Sequence, residues 1–440
     1  MSEEAKKVET ALAKRSLGIK EQVFRLANQL MQDNHFITLQ STKEILVYND
    51  RQGIYEIGGE ALIERNVQSA LKLHASTYTT SEVMWHIRRS TYVTHDEIDA
   101  SDNILNCKNG LLNIKTKKLT PHSPNYYSIT QVPVDYRPGT KCYRIDKFIE
   151  AVFDDGDREV IKEFIGYLLV KKYIFHKALM LTGETGTGKT TFQRMLIAFL
   201  GNDNISTRTL QDLCENKFAK ADLFGKLANI SDDIPSNAVK YSGFFKQLTG
   251  ESRITGEHKY KDAFSFCNNA KVIFSCNELP SIATEDDAYY YRWIIVETKH
   301  KFIGADANRN MINELTTPIE LSGLLNLALA YRQRLMEKND FSYDISIEYA
   351  VRRYQLVVKD SVTKFIAHCI SQDGDSFVEK QKLYDYYIEW CAGGDIAWKP
   401  ANAFHRRLKD LFGTHIEPYK PSIDGKRLST YKGIRIKEDV

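Results

Sequence analysis

The stretch Gly183-Glu184-Thr185-Gly186-Thr187-Gly188-Lys189-Thr190 has the spacing G-x-x-x-x-G-K-T. A short apolar run suited to a buried strand, residues 178–181, precedes it, and a helix-forming stretch, residues 191–200, follows it. In this strand–loop–helix context, glycines let backbone N–H groups turn inward and the helix N-terminus favours an anion. The stretch therefore predicts a nucleoside triphosphate site in an α/β fold.

The side chains of this loop have separate expected roles. Lys189 is expected to reach the β- and γ-phosphates, and the Thr190 hydroxyl is expected to hold Mg²⁺. The residues predicted to line the nucleotide are Gly183, Glu184, Thr185, Gly186, Thr187, Gly188, Lys189, Thr190 and Thr191.

Composition limits the remaining possibilities. The chain has 440 residues and a net charge of only +3, so contact with nucleic acid must come from local basic patches. Its seven cysteines are scattered without a C-x-x-C pair, which favours reduced thiols over zinc ligands or disulfides. We find no signal peptide and no apolar run long enough for a bilayer, and we therefore expect a cytoplasmic protein without membrane contact.

Strands and helices alternate around the phosphate loop. Residues 226–231, 270–275 and 293–296 are apolar enough for central parallel strands. Thr317-Pro318-Ile319-Glu320 has the pattern of a capping box with proline at the first helical position, and it opens an apolar helix. The pattern predicts a doubly wound α/β domain.

The flanking regions differ from this core. Upstream, residues 45–57 predict a hairpin, residues 60–90 predict helices, and Asn109-Gly110 predicts the turn of a second hairpin. The tail predicts three helices, with apolar faces in residues 362–370, 383–391 and 404–411, followed by two strands, residues 416–419 and 431–437. This order is typical of a winged helix-turn-helix. The predicted divisions are a helical lead-in (1–30), an N-terminal α+β domain (31–150), the nucleotide domain (151–345) and a winged-helix domain (346–440).

Two further strands end in polar residues suited to the site. Asp232 and Asp233 follow an apolar strand, where Asp232 would hold the metal and Asp233 would act as a base or orient water. Asn277 follows the next central strand, and the carboxyl ends of such strands face the ligand. It is a candidate sensor of the γ-phosphate. The alternative is that Asp232-Asp233 and Asn277 are only turn-forming residues that follow a strand.

Basic residues mark two candidate DNA contacts. The segment 244–261 interleaves cations with Tyr260 around a glycine turn, and its predicted DNA-binding residues are Lys246, Arg253, His258, Lys259 and Lys261. An exposed charged hairpin is the alternative. In the tail, one helix face carries Asn402, His405, Arg406 and Lys409, and Lys426 and Arg427 stand at the expected wing tip. A solvated basic helix is equally consistent with these residues.

Arg292 precedes the last central strand, residues 293–296. It is either a surface charge or, in a ring of identical subunits, an arginine finger that reaches a neighbour's γ-phosphate.

Together these segments resemble the motifs of superfamily 3 AAA+ helicases. In that family's terms residues 183–190, 227–235, 245–261 and 272–280 are Walker A, Walker B, B-prime and C, and Arg292 is the arginine finger. The nearest branch is the phage/plasmid and poxvirus primase-helicase family, in which a strand-turn ending in Asn-Gly-Leu-Leu precedes the helicase. Here residues 109–112 match it, and the tail resembles the family's winged helix.

The resemblance implies a P-loop AAA+ core and an ATP- and Mg²⁺-dependent DNA helicase. It implies a homo-oligomer, a hexameric ring, that translocates along single-stranded or forked DNA. Asp233 stands where glutamate is usual in the family, which places the base one methylene short. Relatives often carry an upstream primase domain for which this chain leaves no room, so we expect a separate primase or polymerase partner in a mobile-element replication module.

Two alternatives have different tests. An origin-binding AAA+ initiator or loader would hydrolyse ATP and bind DNA without processive unwinding. A small-molecule P-loop kinase would not be stimulated by single-stranded DNA.

Overall fold

The computed structural model describes residues 3–232, 242–257, 259, 263–277, 279, 287–303, 307–342, 361–393, 398–413, 416–423 and 426–437. The chain forms a mixed α/β structure with several separate sheets. Across the described helices, none combines the length and the apolar character needed to cross a bilayer.

The N-terminal region is a four-stranded sheet covered by three helices. Its strands run in the order β3-β2-β1-β4, and only the β1–β4 pair is parallel. The hairpin and the helices expected from residues 45–90 are present. The elements are α1 (Glu3–Asp33), β1 (Phe36–Leu39), β2 (Ile45–Asn49), β3 (Ile54–Ile57), α2 (Gly59–Leu71), α3 (Thr77–Ser90) and β4 (Tyr92–Val93).

The first helix is more than a lead-in. Val23, Ala27 and Leu30 are buried in one hydrophobic cluster with Ile63 of α2 and Val83 of α3. The last part of α1 therefore belongs to the packed N-terminal region, because its apolar positions recur at helical spacing and cover the two helices that follow.

A second, antiparallel sheet contains β5 (Ile104–Cys107), β6 (Gly110–Asn113) and β7 (Leu119–Thr120). Cys107 pairs with Gly110, so the two-residue turn is Lys108-Asn109, one position before the predicted Asn-Gly centre. The Asn109 side chain is used elsewhere, since it bonds the backbone N–H and C=O of Tyr136 at 2.9 and 3.1 Å. Helices α4 (Tyr143–Val152) and α5 (Asp155–Tyr167) follow.

The central region has the alternating order that the sequence predicts. Its five described parallel strands lie in the order β14-β8-β13-β10-β9. The short β9 was not predicted, because two residues give no periodic signal. The elements are β8 (Ala178–Thr182), α6 (Lys189–Leu200), β9 (Ile205–Ser206), α7 (Leu210–Glu215), α8 (Lys217–Ala221), β10 (Ala228–Ser231), α9 (Ser242–Leu248), β11 (Arg253–Gly256), β12 (Phe264–Cys267), β13 (Lys271–Cys276), α10 (Asp287–Tyr291), β14 (Trp293–Glu297), α11 (Met311–Leu315) and α12 (Pro318–Lys338).

Helix α12 begins as predicted but lacks half of the predicted capping box. The Thr317 side chain accepts from the Glu320 N–H at 3.4 Å. The Glu320 carboxylate instead accepts from the N–H groups of Arg144 and Ile145, at 3.1 to 3.3 Å. It therefore caps α4 rather than its own helix, because α12 packs against α4 and brings those unpaired N–H groups within reach.

The described residues of the C-terminal region form three helices and a three-stranded antiparallel sheet in the order β15-β19-β16. Ile370 was predicted as the end of a helix, but it begins the ten-residue strand β15, where it pairs with Ile436. The elements are α13 (Ser361–Cys369), β15 (Ile370–Glu379), α14 (Lys380–Gly393), α15 (Ala401–Phe412), β16 (Glu417–Tyr419), β17 (Ser422–Ile423), β18 (Lys426–Arg427) and β19 (Thr430–Ile436).

Candidate nucleotide-binding site

The glycine loop connects the central strand β8 to the start of α6. Gly183 has a φ of 150°, and a Cβ there would lie 2.3 Å from the backbone oxygen of Thr298. Gly188 is the N-cap of α6 with a φ of 92°. A side chain at either position would be strained or obstructed, which is why the loop needs glycine there. Thr187 secures the loop, with its Oγ1 2.7 Å from Oγ1 of Thr298.

Lys189 is buried at the first position of α6, with 6% of its surface exposed. Its Nζ donates to the backbone oxygens of Gly183 at 2.6 Å and Glu184 at 2.8 Å, and it lies 3.4 Å from Oδ1 of Asn277. An ammonium group that bonds two backbone oxygens of its own loop next to a helix N-terminus is well placed to exchange them for phosphate oxygens. The residues present therefore fit a triphosphate.

A cleft of about 490 Å³ opens beside this loop. Its far wall comes from α4, from α11 and from the chain between β14 and α11. Sequence reasoning missed this wall, because its residues are distant in sequence and carry no local motif. The side chains that line it are Arg144, Lys147, Phe148, Phe302, Asn308, Arg309, Met311 and Glu314.

One predicted acid, Asp232, and the predicted sensor, Asn277, lie at the same end of the sheet. Asp232 and Asn277 directly follow β10 and β13, two adjacent parallel strands, and β13 is also adjacent to β8. The Asp232 and Thr190 side chains are exposed at this end. Asp233 lies outside the described residues.

The described part of the chain has no cluster of three or more histidine, cysteine, aspartate or glutamate side chains suited to a metal. An Mg²⁺ ion here would be held by the Thr190 hydroxyl and the Asp232 carboxylate together with oxygens of the nucleotide. Hydroxyl and carboxylate oxygens are ligands that Mg²⁺ prefers, and the ion usually keeps few protein ligands. The donor set therefore fits the predicted ion.

Arg292 lies at the opposite end of the sheet, where the parallel strands begin. Its backbone oxygen accepts from the Ala178 N–H at 2.8 Å, at the amino end of β8, whereas the glycine loop follows the carboxyl end of that strand. Its Nη1 donates to the backbone oxygen of Ala288 at 2.7 Å. Five strand residues, about 15 Å, separate it from its own loop. The structure does not bring Arg292 to the phosphate loop of the same chain.

The predicted DNA hairpin consists of β11 and β12. Arg253 is exposed and donates from Nη2 to the backbone oxygen of Ser265 at 3.0 Å. Lys259 is exposed in the turn between the strands, and Lys246 is half-buried on α9. His258 and Lys261 lie outside the described residues.

The residues of the predicted basic face of the tail differ in their exposure to solvent. Arg406 and Lys409 are exposed on α15, with Asn402 on the preceding turn. His405 is half-buried, and its ring centre lies 6.0 Å from that of Tyr384 and 5.8 Å from that of Tyr431.

The surroundings of His405 favour its neutral form. Burial lowers its pKa, and the nearby cations Lys380 and Lys409 lower it further. At the expected wing, Arg427 is exposed in β18, next to Lys426 in the same strand.

Comparison with known proteins gives three family matches. Residues 17–154 match the model described as D5 N terminal like, and residues 359–425 match the poxvirus D5 protein-like model. Residues 181–292 match a family of unknown function, DUF5906. The two D5 matches flank the central sheet.

Individual relatives are more distant. The "Putative helicase L207/L206" of Acanthamoeba polyphaga mimivirus is 28% identical over 179 residues, which cover 39% of this chain and 18% of that protein. Two solved apo structures of the NrS-1 C terminal region are 11% identical, with TM-scores of 0.48 and 0.47. They cover 93% of this chain, and the matches take in 98% and 99% of those chains. The two D5 models match on either side of the glycine loop, and together with the viral relative they support a D5-like helicase family for this chain.

Proposed function

We propose that this chain is an ATP- and Mg²⁺-dependent DNA helicase of a mobile-element replication module. The observation that carries the proposal is the position of Lys189, buried in a glycine loop with its ammonium group 3.4 Å from Asn277. A lysine, an amide and a carboxylate at the carboxyl ends of neighbouring parallel strands are the groups that position and polarise a triphosphate.

The side chains divide the work of hydrolysis. Lys189 would exchange the Gly183 and Glu184 carbonyls for phosphate oxygens and neutralise their charge, and Thr190 and Asp232 would hold Mg²⁺. Asn277 contacts the γ-phosphate or the attacking water, and Asp233 accepts the water's proton. Bound Mg²⁺ supplies charge that stabilises the phosphates as the bond breaks.

The architecture supports an AAA+ core of the superfamily 3 type between residues 151 and 345. Five parallel strands with the glycine loop after a central strand match a doubly wound nucleotide fold. In its described residues the tail follows the order helix, strand, helix, helix and then four strands, of which β17 and β18 are two residues each; this order supports a winged helix-turn-helix.

A ring of identical subunits, which we propose to be a hexamer, explains the position of Arg292. Because the guanidinium lies at the end of the sheet away from its own phosphate loop, it can serve catalysis only at a neighbour's site. The exposed Lys259 turn would grip single-stranded DNA in the ring's channel, and hydrolysis would move it. A separate primase or polymerase would prime synthesis.

An origin-binding initiator or loader is the second candidate. The exposed Arg406 and Lys409 on α15 favour it, because a basic helix face suits recognition of a duplex. Such a protein would use ATP for assembly rather than for unwinding.

Strand displacement on forked DNA tests the proposal. The purified chain with ATP and Mg²⁺ is expected to release the labelled strand and to hydrolyse ATP faster when single-stranded DNA is added, whereas Lys189→Ala is expected to do neither. Hydrolysis and DNA binding without displacement would favour the initiator. An ATP hydrolysis rate that does not change with DNA, in a chain that does not bind DNA, would reject both candidates.

A further inference from the structure

Gln193, on the helix that follows the phosphate loop, bonds two strands of the central sheet at once. Its side chain is 2% exposed. The amide Nε2 donates to the backbone oxygen of Ser231 at 3.3 Å, and Oε1 accepts from the Ser275 hydroxyl at 3.3 Å. Because a backbone oxygen can only accept, Ser231 determines which end of the amide faces β10, and the Ser275 hydroxyl must then donate.

The spacing of this contact matches that of the Lys189 contact. Lys189 and Gln193 are four residues apart on α6, so they lie on one helix face with a separation of about 6 Å along the axis. Ser275 and Asn277 are two residues apart on β13 and its end, about 6.6 Å along the strand. Each of the two α6 residues therefore contacts one of the two β13 residues: Lys189 lies 3.4 Å from Asn277, and Gln193 lies 3.3 Å from Ser275.

We expect nucleotide binding to affect the two contacts differently. The Lys189 ammonium is a cation that phosphate oxygens attract, so its bond to Asn277 weakens when a triphosphate enters. The Gln193 amide is neutral and buried one helical turn further along α6. We therefore expect it to remain bonded to both strands when the Lys189 contact changes.

The strands held by Gln193 carry the groups proposed for hydrolysis. Ser231 immediately precedes Asp232, and Ser275 is two residues before Asn277. Lys189 and Thr190 are on α6 itself. One side chain thus connects the helix that follows the phosphate loop to the two strands whose ends carry the proposed metal ligand and the proposed sensor.

We propose that Gln193 is a positioning residue that holds Asp232 and Asn277 in register with Lys189 while the nucleotide is bound. The inference rests on the proposed ATPase function. It assigns to Gln193 an effect on turnover and on Mg²⁺ use that ordinary packing of a buried side chain would not have.

The test compares Gln193→Met, which keeps the length and loses both hydrogen bonds, with Ser275→Ala and the double variant. DNA-stimulated hydrolysis, binding of a fluorescent ATP analogue and Mg²⁺ titrations are measured for each. Met195→Leu is the control, because Met195 is fully buried on the same helix and the change affects packing alone. Gln193→Glu, which keeps an acceptor for Ser275 but loses the donor to Ser231, serves as the conservative variant.

We expect Gln193→Met to lower kcat about tenfold, to raise the Mg²⁺ concentration needed for half-maximal rate, and to change nucleotide affinity by less than about threefold. Ser275→Ala should lose less, the double variant should be no worse than Gln193→Met, and Gln193→Glu should fall between Gln193→Met and wild type. Met195→Leu should keep wild-type kcat and Mg²⁺ dependence.

Three outcomes would overturn the inference. One is a Gln193→Met variant with normal kcat and Mg²⁺ dependence, whatever its melting temperature. Another is a double variant whose losses add fully, because independent effects would exclude a shared contact. If Gln193→Met fails to fold, a Ser275→Ala variant with unchanged kcat and Mg²⁺ dependence overturns it. A wild-type chain that hydrolyses no ATP would reject the proposed function itself, whereas an active wild type isolates the failure to Gln193.

Discussion

The ammonium group of Lys189 lies 3.4 Å from the side-chain oxygen of Asn277, although the two residues are 88 positions apart in sequence. Parallel pairing of β13 with β8 produces this contact, since it aligns Cys276 with Thr182 just before the two polar segments begin. The lysine proposed to bind phosphate and the amide that follows the adjacent strand therefore lie side by side.

Asn277→Ala is expected to slow ATP hydrolysis about 10- to 100-fold while nucleotide affinity changes little. The reason is that the amide is proposed to contact the γ-phosphate or the attacking water rather than the adenine ring. Steady-state hydrolysis and equilibrium binding of an ATP analogue check this. Asn269→Ala, an exposed asparagine before the other end of the same strand, is the control and should behave as wild type. Equal losses in both variants would remove Asn277 from the site.

Arg292→Ala is expected to bind nucleotide normally and to lose hydrolysis by about 1000-fold, because we propose that the guanidinium serves a neighbouring subunit. Mixing it with Lys189→Ala should restore partial activity, since some interfaces would then combine an intact loop with an intact finger. Hydrolysis measured across mixing ratios gives the result. An inactive mixture that still forms mixed oligomers would contradict the shared site.

Lys259→Ala is expected to separate hydrolysis from unwinding. The side chain is exposed in the turn between β11 and β12, so its loss should leave the nucleotide site intact and weaken the grip on single-stranded DNA. We expect near-normal basal hydrolysis and at least a tenfold slower strand displacement. Lys115→Ala, an exposed lysine outside the hairpin, is the control. Normal displacement by the Lys259 variant would exclude this turn from translocation.

The tail is expected to bind duplex DNA through α15. Replacing Arg406 and Lys409 together by alanine should weaken binding and reduce the slope of log affinity against log salt by about 2, since each cation contacts one phosphate. Titrations at several salt concentrations measure this. A paired Lys382 and Arg435 alanine variant removes the same charge from other elements of the tail. If that variant shows the same loss, net charge rather than the α15 face is responsible.

Local pattern was enough to predict much of the central sheet. The runs that became β8, β10, β13 and β14 are apolar and bounded by turns or by the glycine loop, and each is a strand in the structure. The predicted helix through residue 370 was wrong at its end, because Ile370 pairs with Ile436 in a sheet that periodicity within one segment cannot detect. Tertiary pairing determined that boundary.

Contacts between distant segments were beyond sequence reasoning. The Glu320 carboxylate follows a capping pattern in its own helix, yet it caps α4 some 176 positions earlier. Gln193 carries no motif, and its role emerges only where α6 meets two strands. His405 shares a helix face with Arg406 and Lys409 in sequence, but its ring packs among aromatic side chains. In each case the partner is fixed by packing rather than by spacing.

Lys271 is a fully buried lysine at the start of β13. Its Nζ donates to the backbone oxygens of Val170 at 2.7 Å and Asn269 at 2.8 Å, and it lies 4.7 and 4.8 Å from the ring centres of Tyr167 and Tyr173. Burial lowers the pKa of this amine from 10.5 to about 7. Loss of solvation disfavours the charged form, and the two carbonyls and the ring faces compensate only in part.

The sign of the pH effect follows from proton binding. Between pH 7 and 10.5 the unfolded chain keeps this proton while the folded chain releases it, so folding stability rises with pH in that window, by up to about 1.4 kcal/mol per pH unit. Below pH 7 both states hold the proton and the contribution is constant. The Lys271→Met variant lacks the titrating amine and therefore lacks this pH-dependent contribution to stability. We therefore expect the melting temperature of the wild type, relative to Lys271→Met, to increase steadily from pH 7.5 to 9.5. A constant difference across that range would mean that the buried amine stays protonated in the folded chain.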